Sequence, residues 1–375
     1  MKKYFVILLA LFLFETSGYA QNEPYQFIRS SFFQTTFHIK SWSFDGTQAL
    51  DRYTEFAIPV VYTVPFGSRL AIDVVTSPFI SIKEDPGGGT SEFHNISDTF
   101  VRSSFILGDN NALLTFGIGI PTGETNLDAS EYTISGIAAN RSLDNPVSNF
   151  GTGFSYNFGL AVAQEFGDWV VGVGGGYSLR QQYDATFAGQ SFQIEPGDEF
   201  NLTIGLERDF EIASGKGKFT ADFIYTNFSE DKIDGASFFE AGDKLLFRGQ
   251  LIVPFASFNP LILSVTERIR SDNRSPNPDI LNNGNELELR ATLVHRLSGG
   301  LHLKYVGRTQ IYGDNNNSAG GATIFGIGGG VVFNFSQHVS FDPTFIFSKG
   351  SINTGPNSDI NITGLELTGG LAFKF

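Results

Sequence analysis

Leu287, Leu289, Ala291 and Leu293 interleave with Glu286, Glu288, Arg290 and Thr292, so a strand made from this segment has one apolar and one charged face. The same period-two alternation recurs along the chain. Leu301, Leu303, Tyr305 and Ile311 oppose His302, Lys304, Arg308 and Gln310. Phe219, Ala221, Phe223 and Tyr225 oppose Lys218, Thr220, Asp222 and Thr226, and Leu245, Phe247, Leu251 and Val253 oppose Lys244, Arg248 and Gln250. Many segments alternate for about ten to fourteen residues, whereas strands of soluble sandwiches run about five or six. A tilted strand of about ten residues crosses a bilayer. A filled core cannot hold this many charges without partners, but a water-filled lumen can. The Phe-rich face then meets lipid, and closure of the sheet satisfies its edges.

The joints between segments supply a second test. About sixteen strand segments can be marked, among them 52–65, 68–83, 97–107, 150–166 and 167–185. Short joints at Phe66-Gly67, Gly167-Asp168, Ser298 to Gly300 and Ser336-Gln337 alternate with longer polar ones at 84–96, 122–149, 186–197, 230–242 and 272–284. Outer-membrane barrels show this asymmetry, with short periplasmic turns and long outer loops. The expected fold is therefore all-β: a transmembrane up-and-down antiparallel β-barrel of about 12–16 strands with no plug domain.

Lys2 and Lys3 precede an apolar run from Tyr4 to Phe14, and small residues sit at Gly18 and Ala20. This is the three-part pattern of a secretory signal peptide, expected over 1–20 and followed by the barrel over 21–375. A run of about eleven apolar residues is too short for a helix to span a bilayer. The expected location is the bacterial outer membrane, with outer-membrane lipid as one partner. Lys+Arg total 25 against 39 Asp+Glu, a formal net charge of -14, which argues against a nucleic-acid surface. The chain has no Cys, which excludes disulfides, thiolate metal sites and a cysteine nucleophile.

The last residues, Leu371, Phe373 and Phe375, resemble the terminal strand by which barrel-assembly machinery recognises its clients. A second resemblance lies in Gly117-Ile-Gly-Ile-Pro-Thr-Gly123, the loop after it with Glu124, Asn126, Asp128 and Glu131, then Gly151-Thr-Gly153 and the segment from Trp169 to Tyr177. This pattern is similar to the barrel family associated with meta-pathway phenol degradation. The resemblance implies a channel for small organic molecules and carries no site residue across. Without it, Pro121 ends ladder pairing and Gly123 redirects the chain.

Catalytic and metal motifs are sparse. His38, His94, His295, His302 and His338 have no HExxH spacing, and there is no GxSxG elbow. His94 with Glu92 and Ser91 is the one remote hydrolytic constellation. Gly172 to Gly176 and Gly326 to Gly330 lack the Gly-Lys-Ser/Thr ending of a phosphate loop and read as strand glycines. The Asn-rich stretches 313–318 and 357–361 read as turns rather than calcium loops. The expectation is a non-enzyme with no cofactor and no metal.

Lys244, Arg248, Arg268, Arg270, Glu286, Glu288, Arg290, Lys304 and Arg308 fall on the polar face of successive strands and are expected to line the lumen. Ser155, Asn157, Gly159 and Ala161, with Gly151 and Gly153, leave space on another wall. The expected function is passive diffusion of small molecules, including small organic or aromatic compounds. The alternative is a structural or adhesive barrel with partner-binding outer loops and a closed lumen. Oligomeric state is not legible.

Overall fold

Pairing of the first strand with the last closes the sheet. The computed structural model describes residues 32–46, 50–108, 111–147, 150–213, 215–255, 259–275, 284–314, 319–355 and 358–374. The expected signal segment 1–20, Phe375 and most of 272–284 lie outside the described residues. β1 (Phe32–Asp45) pairs antiparallel with β24 (Ser358–Lys374), from Phe32 opposite Lys374 to Asp45 opposite Asn361.

Sixteen barrel strands run up and down around this closure. After β1 come three strands that are each split in two. These are β2 (Arg52–Ala57) with β3 (Val60–Phe66), β4 (Leu70–Thr76) with β5 (Pro78–Glu84), and β6 (Thr90–Ile96) with β7 (Thr99–Leu107). β8 (Ala112–Ile120), β10 (Ser155–Phe166), β11 (Trp169–Arg180), β14 (Glu199–Ile212), β15 (Gly215–Phe228) and β18 (Lys244–Phe255) follow. β19 (Asn259–Arg270), β20 (Glu286–Arg296), β21 (Leu301–Tyr312), β22 (Ala319–Asn334) and β23 (Val339–Gly355) lead to β24. Every neighbouring pair in the ring is antiparallel.

The splits depart from the continuous strands expected over 52–65 and 68–83. Pro59 and Pro78 sit at two of them and have no N–H for the ladder. Ile58 N–H instead bonds Pro78 O at 2.9 Å, and Ser97 N–H bonds Ser77 O at 2.8 Å, so one seam crosses three strands. The segment expected over 167–185 ends as a barrel strand at Arg180. β12 (Tyr183–Phe187) then turns through β13 (Gln190–Glu195) into a separate small sheet. β9 (Asn126–Leu127), β16 (Asp231–Ile233) and β17 (Ala236–Phe239) complete its five strands. The long outer joints thus build a second layer above the barrel.

The barrel exterior is apolar. Phe158, Leu160, Val162, Ile204, Phe223, Leu263, Leu289, Tyr305, Phe325 and Leu365 are all exposed, on the faces that alternation assigns to lipid. Side-chain pairs such as Phe223 with Phe247, centroids 4.9 Å apart, tile this belt. Tyr177 and Tyr225 sit at one rim and donate their hydroxyls to Asp198 and Asp243. Trp169 lies at the other, under the Arg208 guanidinium. An exposed apolar belt between polar-tipped aromatic rims is the surface of an outer-membrane barrel, and that is where the chain resides. Short turns leave the Trp169 rim and the long joints leave the other.

Candidate functional site: the lumen and its inward loop

The barrel interior is not empty, although the described residues include no separate plug domain. The segment between β8 and β10 turns inward and crosses the lumen. Its neck is built from the Pro-Thr-Gly motif. Asp98, at the seam after β6, accepts from Gly123 N–H at 2.9 Å and from Thr152 N–H at 2.7 Å. Outgoing and returning limbs cross in direct contact there: a Cβ on Gly123 would lie 2.7 Å from Phe150 O, and one on Gly151 would lie 2.7 Å from Gly123 O. Glycine is required at both positions because the backbones touch. Gly151 and Gly153 therefore belong to this neck, ahead of β10, and not to the spacious inward face of a strand.

Beyond the neck, α1 (Ala129–Ala138) starts at Asp128, whose side chain accepts from Ser130 and Glu131 N–H. Glu131 closes a capping box on the Asp128 N–H. The backbone hydrogen bond from Glu131, then the Ser130 hydroxyl, hold the Asp128 carboxyl below its ordinary range. Ile134 and Ala138 bury one face of α1 against Tyr53, Phe79 and Phe93, the inward residues of β2, β5 and β6. Val147 N–H donates to Glu55 at 2.8 Å and fixes the returning limb to the same wall.

The tip reaches the adjoining stretch of wall, where Trp42 stands opposite Tyr53 in the ladder. A short 3-10 turn, Arg141–Leu143, is capped by the Asn140 side chain and ends at Asp144 with φ 49°. Leu143 is buried among Trp42, Ile324, Ile352 and Ile362, and its carbonyl accepts from Trp42 Nε1 at 3.0 Å. Full burial of a Leu side chain contributes roughly 1.5–3 kcal/mol, so this contact anchors the tip. Lys40 Nζ donates to Asp144 O at 2.6 Å and to its carboxylate at 3.0 Å. Arg308 lies 3.8 Å from the Asp144 carboxylate and 3.1 Å from Glu366. Arg141 bonds Glu286 at 2.5 Å, and Glu286 also pairs with Arg268.

These charges differ in how much they need one another. The side chains of Lys40 and Arg308 are 2% and 4% exposed, while that of Asp144 is 51% exposed. The two cations are desolvated and require an anion, whereas Asp144 could return to water cheaply. Burial pushes the Asp144 carboxyl up, but Lys40 and Arg308 outweigh it and set it below the usual aspartate range. A depressed carboxylate contributes stability above its unfolded value of about 3.9, and loses it as pH falls through the lower folded value. The Asp144 contribution to the emission of Trp42, isolated by Trp169→Phe, should therefore be lost only as pH falls below about 4. A transition between about pH 5 and 7 would place another group in control.

All nine residues expected in the lumen lie on the strand face opposite Phe247, Leu263, Leu289, Tyr305 and Phe325. Lys244 stands opposite Arg270, Arg268 opposite Glu286, and Arg290 opposite Arg308. Arg248 pairs with Asp222 at 3.2 Å, and Glu288 accepts from Gln310 at 3.2 Å. Lys304 is set apart from the loop tip, paired with Asp342 and bonded to Thr344 at 2.6 Å. Glu286 and Arg308 meet the loop, and Arg268 reaches it through Glu286; Lys40, Trp42, Glu55, Arg141, Asp144 and Glu366 were not foreseen. Of the histidines, His94 pairs with exposed Glu92 at 2.9 Å on the outer face of β6, and His38 lies 3.4 Å from Glu366.

No protein-family model matches the chain, and no curated protein does. Solved structures do. The chain is similar to Pseudomonas putida OprB in its high-pH structure, at 8% identity and a TM-score of 0.49, with 92% of this chain and 94% of that one covered. It is similar to a bacterial polysaccharide outer membrane secretin at 8% identity and 0.46, covering 93% and 99%. It is also similar to the CymD monoaromatic hydrocarbon channel at 11% identity and 0.42, covering 92% and 88%. At these identities and TM-scores the likeness says nothing of a solute, and the resemblance to the phenol-degradation barrels stands on its motif alone.

Proposed function

We propose that the protein is a passive channel of the outer membrane for small molecules, with anionic organic and aromatic compounds among its solutes and the inward loop setting its narrowest passage. The observation that carries this reading is the charge on one wall. Inward positions of β18 to β21 hold Lys244, Arg248, Arg268, Arg270, Arg290, Arg296, Lys304 and Arg308 against Glu286 and Glu288, with Asp222 and Asp342 answering Arg248 and Lys304 from flanking strands, in a chain whose net charge is -14. A basic stripe kept inside an acidic protein suits the passage of anions. Low-dielectric walls concentrate its field and weaken screening relative to an open surface. The phenol-degradation motif supports the organic character of the solute.

Reversal potentials across a salt gradient test the proposal. Replacing Arg248 and Arg290 together by Gln should shift selectivity toward cations while gel mobility stays heat-modifiable. An open channel of unchanged selectivity would take these residues out of the path. Absence of current in both proteins would favour the structural barrel with a closed lumen.

A further inference from the structure

Lys40 and Arg308 come from strands on either side of the β22–β24 wall, and both are almost wholly removed from water. Glu366 answers them from within the barrel wall, 3.8 Å from Lys40 and 3.1 Å from Arg308. Asp144 supplies the second carboxylate, from a loop. That carboxylate is half-exposed, and its residue holds a left-handed backbone that a non-glycine adopts at some cost. A wall-borne pair of buried cations is thus completed by a strained, solvent-reachable carboxylate that comes from a loop.

We infer that Lys40 and Arg308 form a recognition site for the carboxylate of a small organic anion, which Asp144 occupies as an internal ligand, and that a solute carboxylate exchanges with Asp144 and frees the loop tip. The Asp144 carboxylate marks where the solute's carboxylate sits, with Lys40 Nζ as its nearer donor. Glu366 and Glu288 stay in place on the wall, two carboxylates against the three cations Lys40, Arg308 and Arg290, so the site holds one further anion and not two. Arg290, opposite Arg308 in the ladder, extends the cationic path from the site along β20. Leu143 and the Trp42 ring lie beside the site, so the organic part of the anion would meet an apolar surface once the tip withdraws. Lys40 also approaches the Trp42 ring, 5.7 Å from its centroid, which couples the state of the site to an optical reporter.

This inference rests on the channel reading for the supply of solute, but its test does not. Trp42 and Trp169 are the two tryptophans, so Trp169→Phe leaves Trp42 as the sole emitter. Refolded protein in detergent is titrated with sodium acetate, with acetamide as the neutral analogue and with sodium chloride at matched ionic strength. Acetate should shift Trp42 emission to longer wavelength as Leu143 leaves, at concentrations where acetamide and chloride do not. In Asp144→Asn the resident anion is gone, so acetate should bind at least several-fold more tightly, read by calorimetry. Lys40→Gln should abolish the response; if that variant fails to fold, the Asp144→Asn comparison still decides. An equal shift with chloride, or no acetate response in either the parent or Asp144→Asn, overturns the site. A specific acetate response in a protein that passes no current supports the site and removes the channel reading. Current without any acetate response does the reverse.

Discussion

Joining Gly123 to Gly151 through one or two glycines, with 124–150 removed, should raise single-channel conductance several-fold while the barrel still refolds. The neck geometry makes this deletion possible. The two glycines already touch backbone to backbone, and Asp98 holds both limbs from the seam, so β8 and β10 keep their register without the loop. What the deletion takes out is β9, at the edge of the outer sheet, and the material crossing the lumen: α1, the 3-10 turn and their contacts with two adjoining stretches of wall. It also exposes surfaces. Tyr53, Phe79 and Phe93, and next to them Trp42 and Ile324, would face water, and Lys40 and Arg308 would lose Asp144. Some stability is lost, but the barrel ladder, from β1 opposite β24 around the ring, is untouched. Planar-bilayer recordings of the two proteins check the result. Equal conductance would mean that the loop does not limit the passage, and would direct attention to the outer five-stranded sheet.

The barrel was legible in the sequence because every strand residue in such a wall faces one of two contrasting media. Lipid and water sort side chains at period two, and a one-residue slip would reverse the whole face. Leu289 beside Arg290, or Phe247 beside Arg248, carries that information locally. The splits at Pro59 and Pro78 were not legible, because Pro254 and Pro343 sit inside unbroken strands of the same barrel. The loop was half legible. Asp128 with Glu131 three residues on is a helix-start signature that could have placed α1. Its destination was not, since Lys40 and Asp144 are 104 residues apart and nothing local to either one points to the other. Gly123 looked like a turn residue and Gly151 like a small residue on an inward strand face, yet both are needed because two backbones meet there, which only the folded chain brings about.

The lipid-facing belt carries the second large effect. Leu263→Arg should destabilise the barrel by about 2–4 kcal/mol, the cost of a cation near the bilayer midplane on an outer wall. Leu263 lies near the middle of β19, is 40% exposed, and stands between Leu251 and Ala291 on the outward face. An Arg there has apolar neighbours on both sides and no anion opposite. Gln250→Arg moves the same charge to the adjoining inward face, between Thr220 and Ser264, where the lumen hydrates it. That change should cost less than about 1 kcal/mol, the scale of an unfavourable cross-strand pair. Urea unfolding of the two variants in lipid vesicles, read by the gel shift of the folded form, gives the comparison. A soluble barrel would show the opposite order, because its outward face would accept the Arg and its interior would not. Equal costs on the two faces would remove the distinction between lipid and lumen on which the channel reading rests.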